Sequence, residues 1–554
     1  MRNKHRLWGV LVLLAQGGWA QTPPSAGGQL QQIPTIPAPA GSLTPLEVRP
    51  QPATAVPAGA DTLFTAQILR VTGASAYDEA ELVRVSGFVP GQALGLQALH
   101  SMAERITLYY RQNGFLVARA YLPAQQIRDG VVTLAVLEGR YGEVKVLNTS
   151  ALDHQVPRNL LTGLQPGDVI AAAPLEERLL LLSEVPGVQV RSSLVPGAGL
   201  GLSDLVVNVS PGERVSGSVD IDNAGNRYTG ENRIGATVHL NNPTGRGDLA
   251  SLRVLTSGSG LRYGRGTYQF PVGRGQVGLA YSDLAYRLDH EFEAVGANGH
   301  ARMVALFGTY PLWRSRQGRM SLGWSLETKR FEDRLDALSS VTHKRAQVAV
   351  ASLYGDQRDH LGGGGWNSYS VAWSSGVNDI RTPAARVIDA DTARSDGHYN
   401  KLAFTLSRLQ RISESLSLFA GLSGQTASEN LDVSEKMELG GMYGVRAYPE
   451  GEAYADEGYL LTLEARQHLS TPVSWPGQVQ LAAFIDTGRV RLNHRAWTTG
   501  TAQRELSGAG VGAYWTRSRD FSIKAFYARK LGSEDALSAP DKSGRVWLQA
   551  VKYF

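Results

Sequence analysis

The sequence predicts a large antiparallel β-barrel of the membrane-spanning kind, carried behind two small α/β modules. Three observations predict it. From residue 213 to 554 apolar residues recur with period two, as in Ile234, Ala236, Val238 and Leu240 against Gly235, Thr237 and His239, which is the repeat of a strand. Residues 61–140 and 141–211 each combine strand and helix patterns in one short unit. The chain ends in an alternating stretch, 545–554, closed by Tyr553 and Phe554.

Composition narrows the class. The chain has 554 residues, a mean hydropathy of −0.19 and 19% charged residues. That is too polar for a helical membrane protein, and it suits strands that turn one face to lipid and the other to a lumen. There is no cysteine, which excludes disulfides, Cys-ligated metal centres and thiol nucleophiles. Of the formal charge of +5, three units come from Arg2, Lys4 and Arg6. The remainder is far below what nucleic-acid binding calls for.

Residues 1–20 read as a secretory signal peptide. Arg2, Lys4 and Arg6 precede an apolar run at 7–14, and Gly18-Trp19-Ala20 supplies a small-x-small cleavage site. The run is too short to span a bilayer as a helix. Residues 21–60 hold prolines at 34, 37, 39, 45, 50, 52 and 57. They predict an extended tether with no long helix or central strand, and one helical turn near 28–33.

In the first module, Phe64, Ile68 and Val71 predict a strand. Leu99, Ala103, Ile106 and Tyr110 put one face on a helix over 96–111, which Gly114 ends. Strands follow at 116–121 and 131–137, with a turn at Asp129-Gly130. In the second, Val144 and Val146 suggest a strand, and 175–182 a helix ended by Pro186-Gly187. Strands at 188–194 and 204–209 pair across a turn at 196–201. Small modules behind a tether suit binding more than catalysis, because a free sheet edge accepts an extended strand.

The barrel segment, roughly 340 residues, allows about 21 residues per strand and connection if there are 16 strands, a division that also tolerates 14 or 18. In the last strand Val546, Leu548, Ala550 and Phe554 share a face that Lys552 interrupts, a position suited to the membrane rim. His343 and His360 fall in no ligand or triad motif, and Asp283 and Asp289 in no recognisable acid pair. All four read as loop or lumen residues. Neither an H-E-x-x-H helix, a G-x-S-x-G elbow nor a G-x-x-x-x-G-K-[ST] loop is present, so neither an enzyme nor ATP-driven transport is indicated.

Several motifs carry a resemblance. In the first module they are Gly114-Phe115, Ala120-Tyr121-Leu122-Pro123, Asp129-Gly130 and Leu137-Glu138-Gly139-Arg140. In the second they are Pro174-Leu175-Glu176, Arg178-Leu179, Pro186-Gly187-Val188 and Ser203-Asp204-Leu205. Together they resemble the polypeptide-transport-associated (POTRA) domains of the two-partner secretion transporters, the ShlB/FhaC/HecB family. The resemblance implies a transmembrane antiparallel β-barrel of 16 strands preceded by two periplasmic POTRA domains in a Gram-negative outer membrane. It also gives the stretch 441–466 a role. Val445-Arg446-Ala447-Tyr448 is similar to the family's Val-Arg-Gly-Tyr/Phe loop tip, and Phe484-Ile485-Asp486-Thr487-Gly488 to its Phe-x-Asp-x-Gly strand motif. By that resemblance the loop near 441–458 folds into the lumen and Arg446 pairs with Asp486, as a latch and not a catalytic group. Val445, Ala447, Tyr448, Phe484 and Gly488 support it. Ala447 stands where the family has glycine, so a tip needing positive φ would be strained.

The implied function is recognition and export of a large secreted partner through its amino-terminal secretion domain. Outer-membrane lipids and, during biogenesis, the barrel-assembly machinery are the further partners; no cofactor, metal or nucleic acid is expected. A barrel-assembly insertase and a passive porin are the alternatives. Two POTRA modules are fewer than insertases carry, and a periplasmic portion of about 150 residues is foreign to a porin.

Overall fold

The computed structural model describes residues 24–34, 46–48, 63–470, 472, 475–497 and 502–554. The signal peptide and most of the tether lie outside the described residues.

Residues 213–554 form a closed barrel of 16 antiparallel strands in sequence order. The first, Val215–Asp222, pairs with the last, Gly544–Tyr553, through only five residue pairs from Ser218↔Tyr553 to Asp222↔Gln549. On the opposite wall, Ala297–Arg314, Gly318–Leu335 and Ser340–Asp359 run for 18, 18 and 20 residues and stand well clear of the span a membrane needs. Closure joins the first strand to the last, so the strand ladders satisfy backbone groups without water, and past the five-pair seam Asn223 donates its amide to Leu548 O and its side chain to Val546 O. The alternation resolves as lipid-out and polar-in. Ile234, Val238 and Leu240 are exposed on the outer face, as are Leu402 and Leu406, whereas Ala482 and Phe484 point inward against exposed Leu481 and Ile485.

The first module builds a three-stranded sheet. Ile68–Thr72 pairs parallel, and Arg119–Tyr121 antiparallel, with Val131–Leu137. The helix Leu96–Gln112 buries Leu99, Ala103, Ile106 and Tyr110 against it. Asp129 and Gly130 both take positive φ, 52° and 69°, the signature of a two-residue turn. A further helix, Glu79–Ser86, was not anticipated. Its signals are local: Asp78 before it, Glu79 and Glu81 in its first turn, and Gly87 in the left-handed region after it. Glu138 of the sequence motif is structural, since its carboxylate accepts the amides of Ser75 (2.6 Å) and Ala76 (2.7 Å), the Ser75 hydroxyl and Tyr110 Oη (3.1 Å).

In the second module Val188–Pro196 pairs antiparallel with Leu202–Pro211, which pairs parallel with Arg140–Asn148. The helix Ala172–Ser183 buries Leu175, Leu179 and Leu182. Part of the tether departs from a free extended chain: Leu46–Val48 adds to the outer edge of Val188–Pro196 in parallel. An edge is where a proline-flanked strand can sit. The module meets the periplasmic rim of the barrel through Arg274–Glu177, Arg314–Glu184 and Arg316–Glu176, the last at 3.2 Å. That contact fixes the polarity: turns at 273–274 and 315–317 are periplasmic, and the opposite strand ends are extracellular.

Two expectations about single residues are corrected, and one about the tether. His343 lies within a strand on the outer face, and Asp283 does too, on the same face as exposed Leu279 and Tyr281. Neither is a loop or lumen residue, because the long strands carry pairing beyond the apolar band. The tether's helical turn falls at Ala26–Gln31 and not at 28–33.

Candidate functional site

The segment between the strands Leu416–Ala427 and Glu457–Leu469 enters the barrel and packs on its inner wall. Leu439, Met442, Val445, Ala447 and Tyr448 are buried against Phe484, Leu506, Phe526 and Trp547. Two short backbone pairings, Met437↔Ala455 and Gly440↔Val445, give the inserted loop its own frame.

At the tip the structure brings Arg446 and Asp486 together. Arg446 Nε donates to Asp486 Oδ2 and Nη2 to Oδ1, both at 2.8 Å, a bidentate fork. The Arg446 amide adds a third bond to Oδ2 at 3.2 Å, and Thr462 Oγ1 donates to Oδ1 at 3.0 Å. Asp486 is wholly buried and Arg446 is 5% exposed. The guanidinium lies 3.3 Å from the Phe484 ring centroid and 4.9 Å from that of Phe526, so the cation rests on aromatic faces instead of water.

Each supporting residue has a place. Val445 donates its amide to Leu439 O at 2.8 Å. Tyr448 Oη donates to Glu534 O at 2.9 Å. A Cβ on Gly488 would come within 2.4 Å of Leu439 Cδ1, so glycine there admits the loop. Ala447 is absent from the positive-φ residues, so alanine is no strain at this tip. Its methyl fits because the facing wall residue is Gly508, whose Cβ would lie 2.5 Å from that of Ala447.

Sequence reading missed several members. Glu464 receives Arg446 Nη1 (3.4 Å), Arg466 Nε (3.1 Å) and Tyr514 Oη (2.7 Å), making a second carboxylate of the same network. Trp547 Nε1 donates to Arg446 O at 2.7 Å. Deeper in the loop, buried Glu452 pairs with Arg504 at 2.9 Å and accepts the amides of Leu537 and Ser538, tying the loop to the last extracellular connection. The available signal was the polar side of the strand after the loop, Thr462, Glu464 and Arg466.

The helix Ala26–Gln31 also lies in the lumen. Ala26 N donates to Asp333 Oδ1 (2.8 Å), Thr229 Oγ1 to Gln29 Oε1 (2.9 Å), Arg233 Nη1 to Gln32 O (2.9 Å) and Gln32 Nε2 to Tyr454 Oη (2.7 Å). Gly27 and Gly28 face Ser434 and Tyr454 with no room for a side chain at Gly27. Below the helix a cavity of about 840 Å³, lined by Leu30, Ile33, Pro186, His239, Arg253 and Arg265, opens between the second module and the barrel rim.

Comparison with known proteins places this geometry. A ShlB-type POTRA domain matches residues 64–139. The heme/hemopexin transporter protein HuxB of Haemophilus influenzae (strain 86-028NP) is 27% identical over 481 residues, covering 86% of this chain and 84% of that one. The outer membrane transporter CdiB of Dickeya dadantii (strain 3937) is 24% identical over 78% of this chain and 77% of its own. Among solved structures, CdiB from Escherichia coli superposes with a TM-score of 0.68 at 20% identity, covering 91% and 93% of the two chains. BamA from Haemophilus ducreyi lacking POTRA domains 1–3 superposes with 0.53 at 13%, covering 89% and 100%, a likeness of fold. The haemolysin secretion/activation protein family ShlB/FhaC/HecB matches residues 201–515, more than half the chain, and the chain belongs to that family, the outer-membrane transporters of two-partner secretion.

Proposed function

We propose that this transporter carries a large exoprotein outward through its lumen, with the helix Ala26–Gln31 as a removable stopper and the loop at 441–458 as a fixed part of the wall. The supporting observation is the contrast in how the two are held. The loop is fastened by buried charge pairs, Arg446–Asp486 and Glu452–Arg504. The helix is held by scattered hydrogen bonds through its backbone and amide side chains, each worth about 1 kcal/mol net and at most about 3 where the Asp333 carboxylate or the Arg233 guanidinium is the partner. Water inside an opened lumen replaces the second kind readily and the first kind poorly.

In this reading the POTRA modules take the extended amino-terminal secretion domain of the partner by strand addition in the periplasm, where backbone bonds give affinity and side-chain pockets give selectivity. Folding of the partner outside biases movement outward, so no nucleotide is consumed. The outer face meets membrane lipid, and the aromatic last strand engages the barrel-assembly machinery during biogenesis. Catalysis has no part in it.

The stopper is tested by fastening it. A Cβ on Gly27 would stand 2.8 Å from Ser434 Cβ, near enough that a small shift reaches the roughly 3.5–4.5 Å of a disulfide. The chain has no cysteine to interfere. The Gly27→Cys/Ser434→Cys protein is expected to stop secreting its partner when oxidised and to resume on reduction. Undiminished secretion by the bridged protein refutes the stopper.

A further inference from the structure

We infer that the extracellular rim of the barrel carries a binding site for the phosphate groups of an outer-leaflet glycolipid, built by Arg302, Arg330 and Arg345 on three adjacent strands. In the register of the sheet Arg302 stands opposite Arg330, and Arg330 opposite Arg345. All three face outward. Arg302 shares its face with exposed Val304 and Leu306, while Ala301 and Ala305 point inward, and Phe331, next to Arg330, is buried on the inner side. Two strand spacings separate the outer members, so the three Cα atoms span about 10 Å.

Like charges directly opposite one another on a sheet face destabilise it, and this row is poorly neutralised. Asp283 is engaged by Arg302 at 2.9 Å. Glu332, one step further out, is engaged by Arg334. Asp379 stands opposite Arg345 in register but is held by Arg381 (2.6 Å) and Arg386 (2.9 Å). Among the described residues neither Arg330 nor Arg345 has an acidic partner, and Arg345 Nε is buried with no hydrogen-bond partner. His300 and His343 flank the row, and together with Glu332, Arg334 and Arg381 these residues line an open cavity of about 560 Å³. A cluster this basic with an unfilled buried donor is arranged for an anion, and guanidinium forks suit phosphate.

The height of the row selects the source. Toward the periplasm on the same face comes Val304, with Thr328 and Gln347 beside it in register, and below them Leu306, Leu326 and Trp324, the apolar band that meets lipid tails. The polar layers directly above that band on the extracellular side, Thr328 with Gln347 and then the arginine row, lie at the depth of the headgroups. A phosphorylated glycolipid there seats its acyl chains on the band and its phosphates on the arginines. A free anion meets only the arginines.

The test uses the full-length protein, stripped of lipid in detergent and titrated with outer-membrane lipopolysaccharide while bound glycolipid is counted by native mass spectrometry. Arg302→Gln/Arg330→Gln/Arg345→Gln is expected to bind about tenfold or more weakly. A control at Arg489→Gln/Arg491→Gln, on a distant part of the rim, is expected to bind as the unaltered protein does. Enzymatically dephosphorylated lipopolysaccharide should bind the unaltered protein as weakly as the triple variant binds the native lipid. Barrel folding is checked by heat-dependent gel mobility, with single Arg345→Gln used if the triple variant does not fold. Equal binding by the variant, equal loss in the control, or full displacement by inorganic phosphate overturns the assignment.

Discussion

Removing the Arg446 side chain provides the strongest test of the latch. Arg446→Ala deletes two charge-assisted bonds of 2.8 Å and leaves wholly buried Asp486 with only the 446 amide and Thr462. Stripping one partner from a buried pair costs about 3–5 kcal/mol. Asp486→Ala falls toward the lower end, because Arg446 retains Glu464 at 3.4 Å. Arg446→Lys keeps the charge but loses the fork, worth about 1.5–3 kcal/mol. The assay is hydrogen exchange of the loop amides at 439–448 in the protein held in lipid discs. A cost of about 3 kcal/mol raises loop opening roughly a hundredfold. A double-mutant cycle on positions 446 and 486 should be non-additive by well over about 0.5 kcal/mol. Exchange unchanged in every variant, or an additive cycle, refutes the latch. Reversing both charges is expected to restore it incompletely, since the new carboxylate at position 446 would face Glu464.

Other tests probe neighbouring features. Gly508→Ala should expel the loop tip and impair secretion, because its Cβ meets Ala447 at 2.5 Å; Ala447→Gly in the same chain should restore it, while alone it costs about 1 kcal/mol for the lost buried methyl. Glu452→Ala leaves Arg504 with only the partly exposed Glu534 carboxylate and Asp535 O and strands the Leu537 and Ser538 amides, so proteolysis should nick the 531–543 connection faster, with barrel mobility on gels unchanged. Burial alone would raise the Glu138 carboxyl, but hydrogen bonds from Ser75, Ala76 and Tyr110 outweigh it and hold it below its usual range. A lowered carboxyl contributes stability above its unfolded value, about 4.3, and loses it as pH falls through the lowered one. Exchange in the first module should therefore accelerate below about pH 4, and Glu138→Gln should be destabilised already at neutral pH and show a flatter acid response.

What could be read in the sequence divides along a physical line. Period two at 213–554 reports a chain that meets two solvents, and it needs no partner strand to be legible; Ile234 and Leu402 take the lipid face on that pattern alone. Helix Leu96–Gln112 was legible for the same reason, since its buried face repeats locally. Helix Glu79–Ser86 is short, and its end signals were the only trace of it. The edge strand Leu46–Val48 has no local signal, because a parallel partner at 192–194 creates it.

The site lies on the far side of that line. Arg446 and Asp486 were reachable through their motifs, but the residues that make their meeting cheap were not. Thr462 faces Asp486 directly in register, Glu464 stands one pair further on the same inner face, and Gly508 is the next strand's partner of Asp486. Each is ordinary by itself and acquires its role from register. Ala447 makes the point most sharply. Taken alone it signalled a strained tip, because alanine replaced a glycine with freer φ. Beside Gly508 it is a matched exchange, with the methyl moved onto the loop and the space left in the wall. The same logic holds on the outer face, where three arginines some 15 to 43 residues apart in sequence become one row only after Arg302, Arg330 and Arg345 are paired across two strand boundaries. Barrel alternation tells which side a residue takes; register decides which residues act together, and it is at that level that both the latch and the rim site exist.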